Sequence, residues 1–144
     1  MAESASAPQK PILALVSDLF FTVKIADSAK HLGLPIAFAT SAEEFSDRLR
    51  HMRPALVIAD LTLSGMDLAA LIEQLKADAS QAAVPVLGYT THAEWKHTGP
   101  LHGKCTKVVT KDTLSRGLPG LIRQLMRLDA PLMAEDSGGE SGPP

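Results

Sequence analysis

Four residues with reactive or charged side chains each follow a short apolar run of the sequence. They are Asp18, Asp60, Thr90 and Lys111. If the apolar runs are parallel strands, these side chains meet at the carboxyl edge of one sheet, which is where such sheets bind ligands. A carboxylate pair, a hydroxyl and an ammonium could together hold a divalent cation and a phosphoryl group. A carboxylate oxygen can attack phosphorus to form an acyl phosphate, so the set predicts aspartyl phosphorylation with Asp60 as the nucleophile.

Each of these residues also has a simpler interpretation. Asp18 could cap a helix that begins near Leu19, a role that aspartate fills well. This role is compatible with holding magnesium, which usually takes one or two carboxylates together with water and phosphate. Asp60 could be an ordinary loop or capping aspartate, and Thr90 and Lys111 are common types at strand ends and on surfaces. The prediction therefore depends on the four residues occurring as a set.

The segments that must position these residues alternate between strand and helix patterns. The predicted strands are Ile12–Val16, Pro35–Ala39, Ala55–Ala59, Val84–Tyr89 and Lys107–Thr110. Their continuous apolar character is typical of strands that are covered on both faces by helices. Helical periodicity between them predicts successive β/α units, and hence a doubly wound parallel sheet with right-handed crossovers.

Two helical segments contain residues that interrupt helices. The stretch Thr91–Lys104 includes Gly99-Pro100 and has poor helical periodicity, so any helix there is predicted to be short. In the last helix, Pro119 is tolerable only near the first turn, so this helix is predicted to begin just before it. Trp95, in the irregular stretch, could pack against the sheet or, if exposed, anchor a partner.

The composition limits the class of protein. With 144 residues, 45% of them hydrophobic and 21% charged, the chain is typical of one globular domain. A net charge of −2 argues against a nucleic-acid surface, which needs a basic patch. No apolar run approaches the ~20 residues that span a bilayer, so no membrane contact is expected.

The two ends of the chain differ from its centre. We expect one domain over 10–129 between a disordered leader (1–9) and a disordered tail (130–144), because neither end can bury enough apolar surface to fold. The leader lacks the pattern of a secretory signal. Cys105 is the only cysteine and cannot form an internal disulfide. A cytoplasmic location is therefore expected.

The segment Leu56–Asp67 has a distinctive order: a hydrophobic strand, Asp60, and then a loop that ends in Gly-Met-Asp. It resembles the phosphoacceptor segment of the receiver domains of bacterial two-component response regulators. Further similarity lies in Val86–Thr90 and Val108–Lys111, and the resemblance covers roughly Lys10–Leu128. It implies a flavodoxin-like, five-stranded sheet in the order 2-1-3-4-5, flanked by about five helices.

The resemblance also implies a role for each candidate residue. Asp60 would accept the phosphoryl group from a histidine kinase or phosphotransfer protein, Thr90 would be the switch hydroxyl, and Lys111 would contact the phosphate. Asp18, Asp60 and the backbone carbonyl of Thr62 would bind Mg²⁺. Such a domain catalyses at most its own phosphoryl transfer and dephosphorylation, and signals through a downstream protein partner.

Several positions depart from the family pattern. Ser17 stands where receivers carry the first of two acidic residues, which predicts weaker Mg²⁺ binding. Asp112 replaces a proline, and Val108 replaces an aromatic residue. These departures leave open a second hypothesis, in which the chain is a pseudo-receiver that acts as a protein-interaction module without phosphorylation.

Overall fold

The computed structural model describes residues 10–128, so the predicted leader (1–9) and tail (130–144) lie outside the described residues. Five parallel strands form one sheet in this region, in the order β2-β1-β3-β4-β5, which confirms the predicted order 2-1-3-4-5. The strands are β1 (Ile12–Leu15), β2 (Ile36–Ala39), β3 (Leu56–Asp60), β4 (Val86–Thr90) and β5 (Lys107–Thr110). The helices are α1 (Leu19–His31), α2 (Ala42–Met52), α3 (Leu68–Ala77), α4 (Gly99–His102) and α5 (Lys111–Met126).

Helices cover both faces of the sheet, and alternate residues of each strand point to opposite faces. One core cluster joins Ile58 and Leu87 to side chains of α1 and α5, such as Ile25 and Leu118. We call this side the α1/α5 face. A second cluster joins the other strand positions to α2 and α3, and we call that side the α2/α3 face. The strands are continuously apolar because each central strand is buried on both faces.

The helices begin where polar side chains can accept from free backbone amides. Asp18, Ser41 and Asp67 cap α1, α2 and α3, each accepting from a backbone N–H three residues later. At the start of α2, Ser41 Oγ accepts from Glu44 N–H at 3.1 Å, and the Glu44 carboxylate accepts from Thr40 N–H at 2.9 Å. Between residues 10 and 128, no helix is long and apolar enough to cross a membrane.

The last two units differ from the first three. As predicted, the stretch after β4 holds only a short helix, because turns occupy residues 92–98 and α4 spans Gly99–His102. The helix α5 begins at Lys111, directly after β5, and is capped by Thr110, so the predicted start just before Pro119 is right only for the second segment of α5, after the break at Gly117. Pro119 is accommodated by non-helical backbone angles at Gly117 (φ −128°, ψ 19°). Proline lacks an N–H and its ring crowds the preceding turn, so the helix kinks there.

Candidate functional site

The carboxyl edge of the sheet carries all four residues that the sequence singled out. Asp60 and Thr90 are the last residues of β3 and β4, rather than the first residues after them. Asp18 lies in the connection from β1 to α1, and Lys111 follows β5 directly. Since the strands are parallel, these positions lie along one edge.

Asp60 is a nearly buried carboxylate, 4% exposed, at the end of the central strand. Its Oδ1 accepts two hydrogen bonds from Thr62, one from the backbone N–H at 2.8 Å and one from Oγ1–H at 2.6 Å. No residue between 10 and 128 donates a hydrogen bond to Oδ2. Thr62 thus fixes the carboxylate through one oxygen and leaves the other available for chemistry. This hydroxyl contact was not expected, and the proposed metal ligation by the Thr62 carbonyl stays a prediction.

Asp18 combines a structural contact with a position in the site. Its Oδ1 accepts from Phe21 N–H at 3.1 Å, so the helix-capping interpretation is correct. The Thr22 hydroxyl donates to the Asp18 carbonyl at 2.8 Å and tightens the same turn. In the described part of the chain, no hydrogen bond engages the second carboxylate oxygen of Asp18, so capping does not consume the group.

The carboxyl edge carries oxygen ligands of the kind that a divalent cation requires. No group of three or more His, Cys, Asp and Glu side chains comes together among residues 10–128. The edge instead offers Asp18 and Asp60, with the exposed, uncharged Ser17 beside them. Two hard oxygen donors suit Mg²⁺, which takes one or two carboxylates and keeps several waters. The donor set therefore fits magnesium.

Thr90 belongs to a hydroxyl network on the α2/α3 face. Its side chain is fully buried, and its Oγ1 lies 3.2 Å from Thr98 Oγ1. The Thr98 oxygen is also 3.0 Å from the Glu94 carbonyl and 3.0 Å from His102 Nε2. His102 in turn packs edge-on against Trp95, with ring centroids 4.6 Å apart. This chain of contacts connects the carboxyl edge to an exposed tryptophan, so packing of Trp95 against the sheet is not what the structure shows.

Lys111 is turned toward an aromatic ring. Its Nζ lies 5.7 Å from the centroid of Phe21, a distance at which a cation–π attraction operates. Among the ion pairs of residues 10–128, none joins Lys111 to Asp60 or Asp18. The structure therefore places Lys111 at the predicted edge but does not pair it with the predicted nucleophile.

Tyr89 was missed by sequence reasoning, because a tyrosine inside an apolar run is typical of the core. It is the register partner of Asp60 on the neighbouring strand, and the two side chains therefore share the α1/α5 face. Its side chain is fully buried, yet its hydroxyl has no hydrogen-bond partner among the described residues. Burial, the charge of Asp60 and the charge of Asp18 raise the pKa of Tyr89 far above its usual value. Its register with Asp60 was the signal that could have found it.

Similar solved structures identify the architecture. No protein-family model matches the sequence, and no curated protein matches it significantly. The chemotaxis response regulator CheY4 of Vibrio cholerae superposes with a TM-score of 0.71 at 13% identity, covering 82% of this chain and 99% of that chain. The signal receiver domain of a histidine kinase from Syntrophus aciditrophicus gives 0.71 at 18% identity, covering 88% and 97%. The chain has the receiver fold.

A third structure with the receiver fold is described with a metal. It is the receiver domain of a sensor histidine kinase of Pseudomonas aeruginosa, with a magnesium ion coordinated in the active site cleft. Its TM-score is 0.71 at 14% identity, covering 83% of this chain and 99% of that chain. At these identities the likeness establishes the receiver fold, and the activity has to be argued from the residues of the site.

In this chain the receiver fold also exposes an apolar patch beside the site. Leu19, Phe20 and Val23, on the first turns of α1, are 76%, 59% and 51% exposed. The Phe20 ring packs edge-on against Phe21, whose own ring lies under Lys111. The apolar residues after Asp18 therefore form the wall of the site on the α1 side.

Proposed function

We propose that this domain accepts a phosphoryl group on Asp60 from a histidine kinase or phosphotransfer protein and signals by contact with a downstream protein. The observation that carries the proposal is the burial and the hydrogen bonding of the Asp60 carboxylate. It is nearly buried at the end of the central strand, with Oδ1 held by two donors of Thr62 and Oδ2 without a hydrogen bond from residues 10–128. Oδ2 also reaches the molecular surface, since among residues 10–128 the fully buried side-chain polar atoms without a partner are Gln81 Oε1 and the Tyr89 hydroxyl, so an incoming phosphoryl donor can approach it.

The transfer step requires little from the protein besides position and charge. Oδ2 of Asp60 attacks phosphorus, and the bond from phosphorus to the histidine nitrogen of the donor breaks. Asp18, Asp60 and the Thr62 carbonyl would hold Mg²⁺, and the ion supplies positive charge that the phosphoryl oxygens need. The magnesium ion in the Pseudomonas receiver domain supports this assignment. Ser17 adds no charge to the set, so we expect the ion to bind weakly.

The response to phosphorylation would begin at Thr90 and Lys111. An attached phosphate adds about two negative charges at neutral pH. Lys111 can leave the face of the Phe21 ring to approach this charge, since no ion pair within the described chain holds it. Thr90 accepts a hydrogen bond from the Thr98 hydroxyl, so its own proton is free to turn toward the phosphate. A Thr90 side chain that shifts to meet the phosphate would disturb its contact with Thr98, and through Thr98 the contacts with His102 and Trp95, which makes residues 92–102 the proposed output surface.

The proposal is tested by phosphorylation with a small-molecule donor and Mg²⁺, read by intact mass. The native protein should gain one phosphoryl group and Asp60→Asn should gain none. Asp67→Asn is the matched control, because it removes a nearby exposed charge while asparagine caps a helix as well as aspartate does. Equal labelling of Asp60→Asn would sink the assignment. A native protein that is never labelled would instead favour a protein-interaction module without phosphorylation.

A further inference from the structure

The hydroxyl of Tyr89, on the α1/α5 face, is a buried polar group whose position the packing of the fold does not explain. Its ring is anchored, since it packs 5.0 Å from the Phe21 ring and is fully buried. Its oxygen, in contrast, has no hydrogen-bond partner among residues 10–128. A buried hydroxyl without a partner destabilises a folded protein, and phenylalanine would fill the same space without that penalty.

The position of the Tyr89 side chain relative to Asp60 indicates which group its hydroxyl could meet. Tyr89 pairs in register with Asp60, so its side chain leaves the sheet beside the nucleophile and on the same face. Burial, and after it the charges of Asp60 and Asp18, raise the pKa of the Tyr89 phenol far above its usual value. Neither carboxylate accepts a hydrogen bond from it. The phenol is thus a protonated donor that leaves the sheet on the same face as Asp60 and is not engaged by it.

We infer that the Tyr89 hydroxyl donates a hydrogen bond to the anionic group carried by Asp60, either a phosphoryl oxygen or a fluoride of a phosphoryl mimic. This inference rests on the proposed function, because it needs a group on Asp60. A phosphoryl group extends beyond the carboxylate and brings additional acceptors within reach of donors that the carboxylate itself does not meet. Tyr89 is then a positioning donor of the loaded site, in addition to Thr90 and Lys111.

The inference is tested with beryllofluoride and Mg²⁺ as the probe, using isothermal calorimetry for Kd and fluorine NMR for the bound fluorides. Tyr89→Phe should raise the Kd of beryllofluoride at least about tenfold, because a hydrogen bond to a charged acceptor is lost. The same variant should raise the Tm of the unloaded protein, because an unpartnered buried hydroxyl is removed. A purely structural tyrosine would change both quantities differently, lowering Tm and leaving Kd unchanged.

The matched control is Ile122→Val, which alters the same core cluster without touching a polar atom. It should lower Tm and leave the Kd for beryllofluoride unchanged. An unchanged Kd in Tyr89→Phe, with normal binding by the native protein, would overturn the inference and leave the proposed function standing. A native protein that binds no beryllofluoride and accepts no phosphoryl group would overturn both.

Discussion

The two sides of the candidate site offer different kinds of polar group to a phosphoryl ligand. On the α1/α5 face lie charged or donor groups with few partners: Asp18, Lys111 and the Tyr89 hydroxyl. On the α2/α3 face lies an uncharged network in which the Thr98 hydroxyl has four polar neighbours, Thr90 among them. We call these the charged side and the hydroxyl side. An incoming phosphoryl group meets Lys111 and the Tyr89 hydroxyl on the charged side, whereas on the hydroxyl side it meets Thr90, whose oxygen already accepts from Thr98.

This difference assigns separate tasks to the two sides. Lys111 and the Tyr89 hydroxyl gain a partner when an anion arrives, and Asp18 gains one through a bound cation, so the charged side should determine how tightly the site binds. On the hydroxyl side, Thr90 is already linked to Thr98 when it meets the anion, so this side contributes less to affinity and more to the conformational response. The comparison predicts that variants of the charged side will mainly change ligand affinity, and that variants of the hydroxyl side will mainly change stability and the conformational response.

The largest effect is expected from Thr98→Val, which breaks the hydroxyl side. Thr90 and His102 lose their shared partner, so we expect the free energy of unfolding to fall by about 2 kcal/mol, measured by urea denaturation. Thr90 only accepts from Thr98 and keeps its own proton in either protein, so the affinity for beryllofluoride should change little. Thr98→Ser keeps the hydroxyl and should retain most of the stability. A Thr98→Val protein as stable as the native one would contradict the network.

The next largest effect is expected on Mg²⁺ affinity, when a substitution adds a carboxylate to the charged side. Ser17→Asp should tighten Mg²⁺ binding by about tenfold. The new carboxylate would stand beside Asp18, and one more negative charge within ~4–6 Å of the ion contributes about a kcal/mol even when screened. Calorimetric titration with MgCl₂ measures the Mg²⁺ affinity, and Ser17→Asn is the uncharged control. Equal affinity in all three proteins would mean that residue 17 does not face the cation, and would remove the metal from the charged side.

A third prediction connects the two sides through fluorescence. Trp95 contacts His102, which contacts Thr98, so loading the native site with beryllofluoride should shift the emission of this single tryptophan. Thr90→Val should bind the probe but lose most of the shift, because the hydroxyl that links the bound group to Thr98 is absent. An undiminished shift in Thr90→Val would mean that the signal reaches Trp95 by another route.

The smallest effect is the pH dependence of stability at the charged side. Burial, and after it the charges of Asp60 and Asp18, raise the pKa of Tyr89 in the folded state well above the value of about 10 that a tyrosine has in the unfolded chain. Above pH ~10 the unfolded chain therefore releases a proton that the folded chain keeps. Stability should fall with rising pH there, with a share from Tyr89 of about 1.4 kcal/mol per pH unit. Tyr89→Phe should show a shallower decline in urea denaturation between pH 10 and 11, and parallel curves would contradict this origin.

The sequence was sufficient to predict the fold and the residues at the strand ends. Apolar runs that are buried on both faces must stop where the chain leaves the sheet, so Asp60 and Thr90 mark the edge without ambiguity. The helix cap at Asp18 was also predictable, because capping depends on local chemistry.

Other features depended on contacts that no local pattern encodes. The unpartnered hydroxyl of Tyr89 follows from what surrounds it in three dimensions, and a tyrosine in a strand gives no sign of it. The start of α5 was misplaced because Pro119 dominated the interpretation, whereas Thr110 caps the helix by accepting from Thr113 N–H. The contact of Thr98 with His102 spans one helical turn and was detectable as an i, i+4 spacing, but only within a stretch with no other helical pattern.

The kink at Gly117 gives the two halves of α5 different mechanical roles. The half that begins with Lys111 ends at a point where regular helix hydrogen bonding is already interrupted, so bending there requires little further loss. The half from Leu118 to Met126 keeps its buried side chains in the core. Leu114, in the first half, is fully buried in the same core, so only the single turn that carries Lys111 lies ahead of this anchor and can adjust toward a new charge while the rest of the helix stays in place.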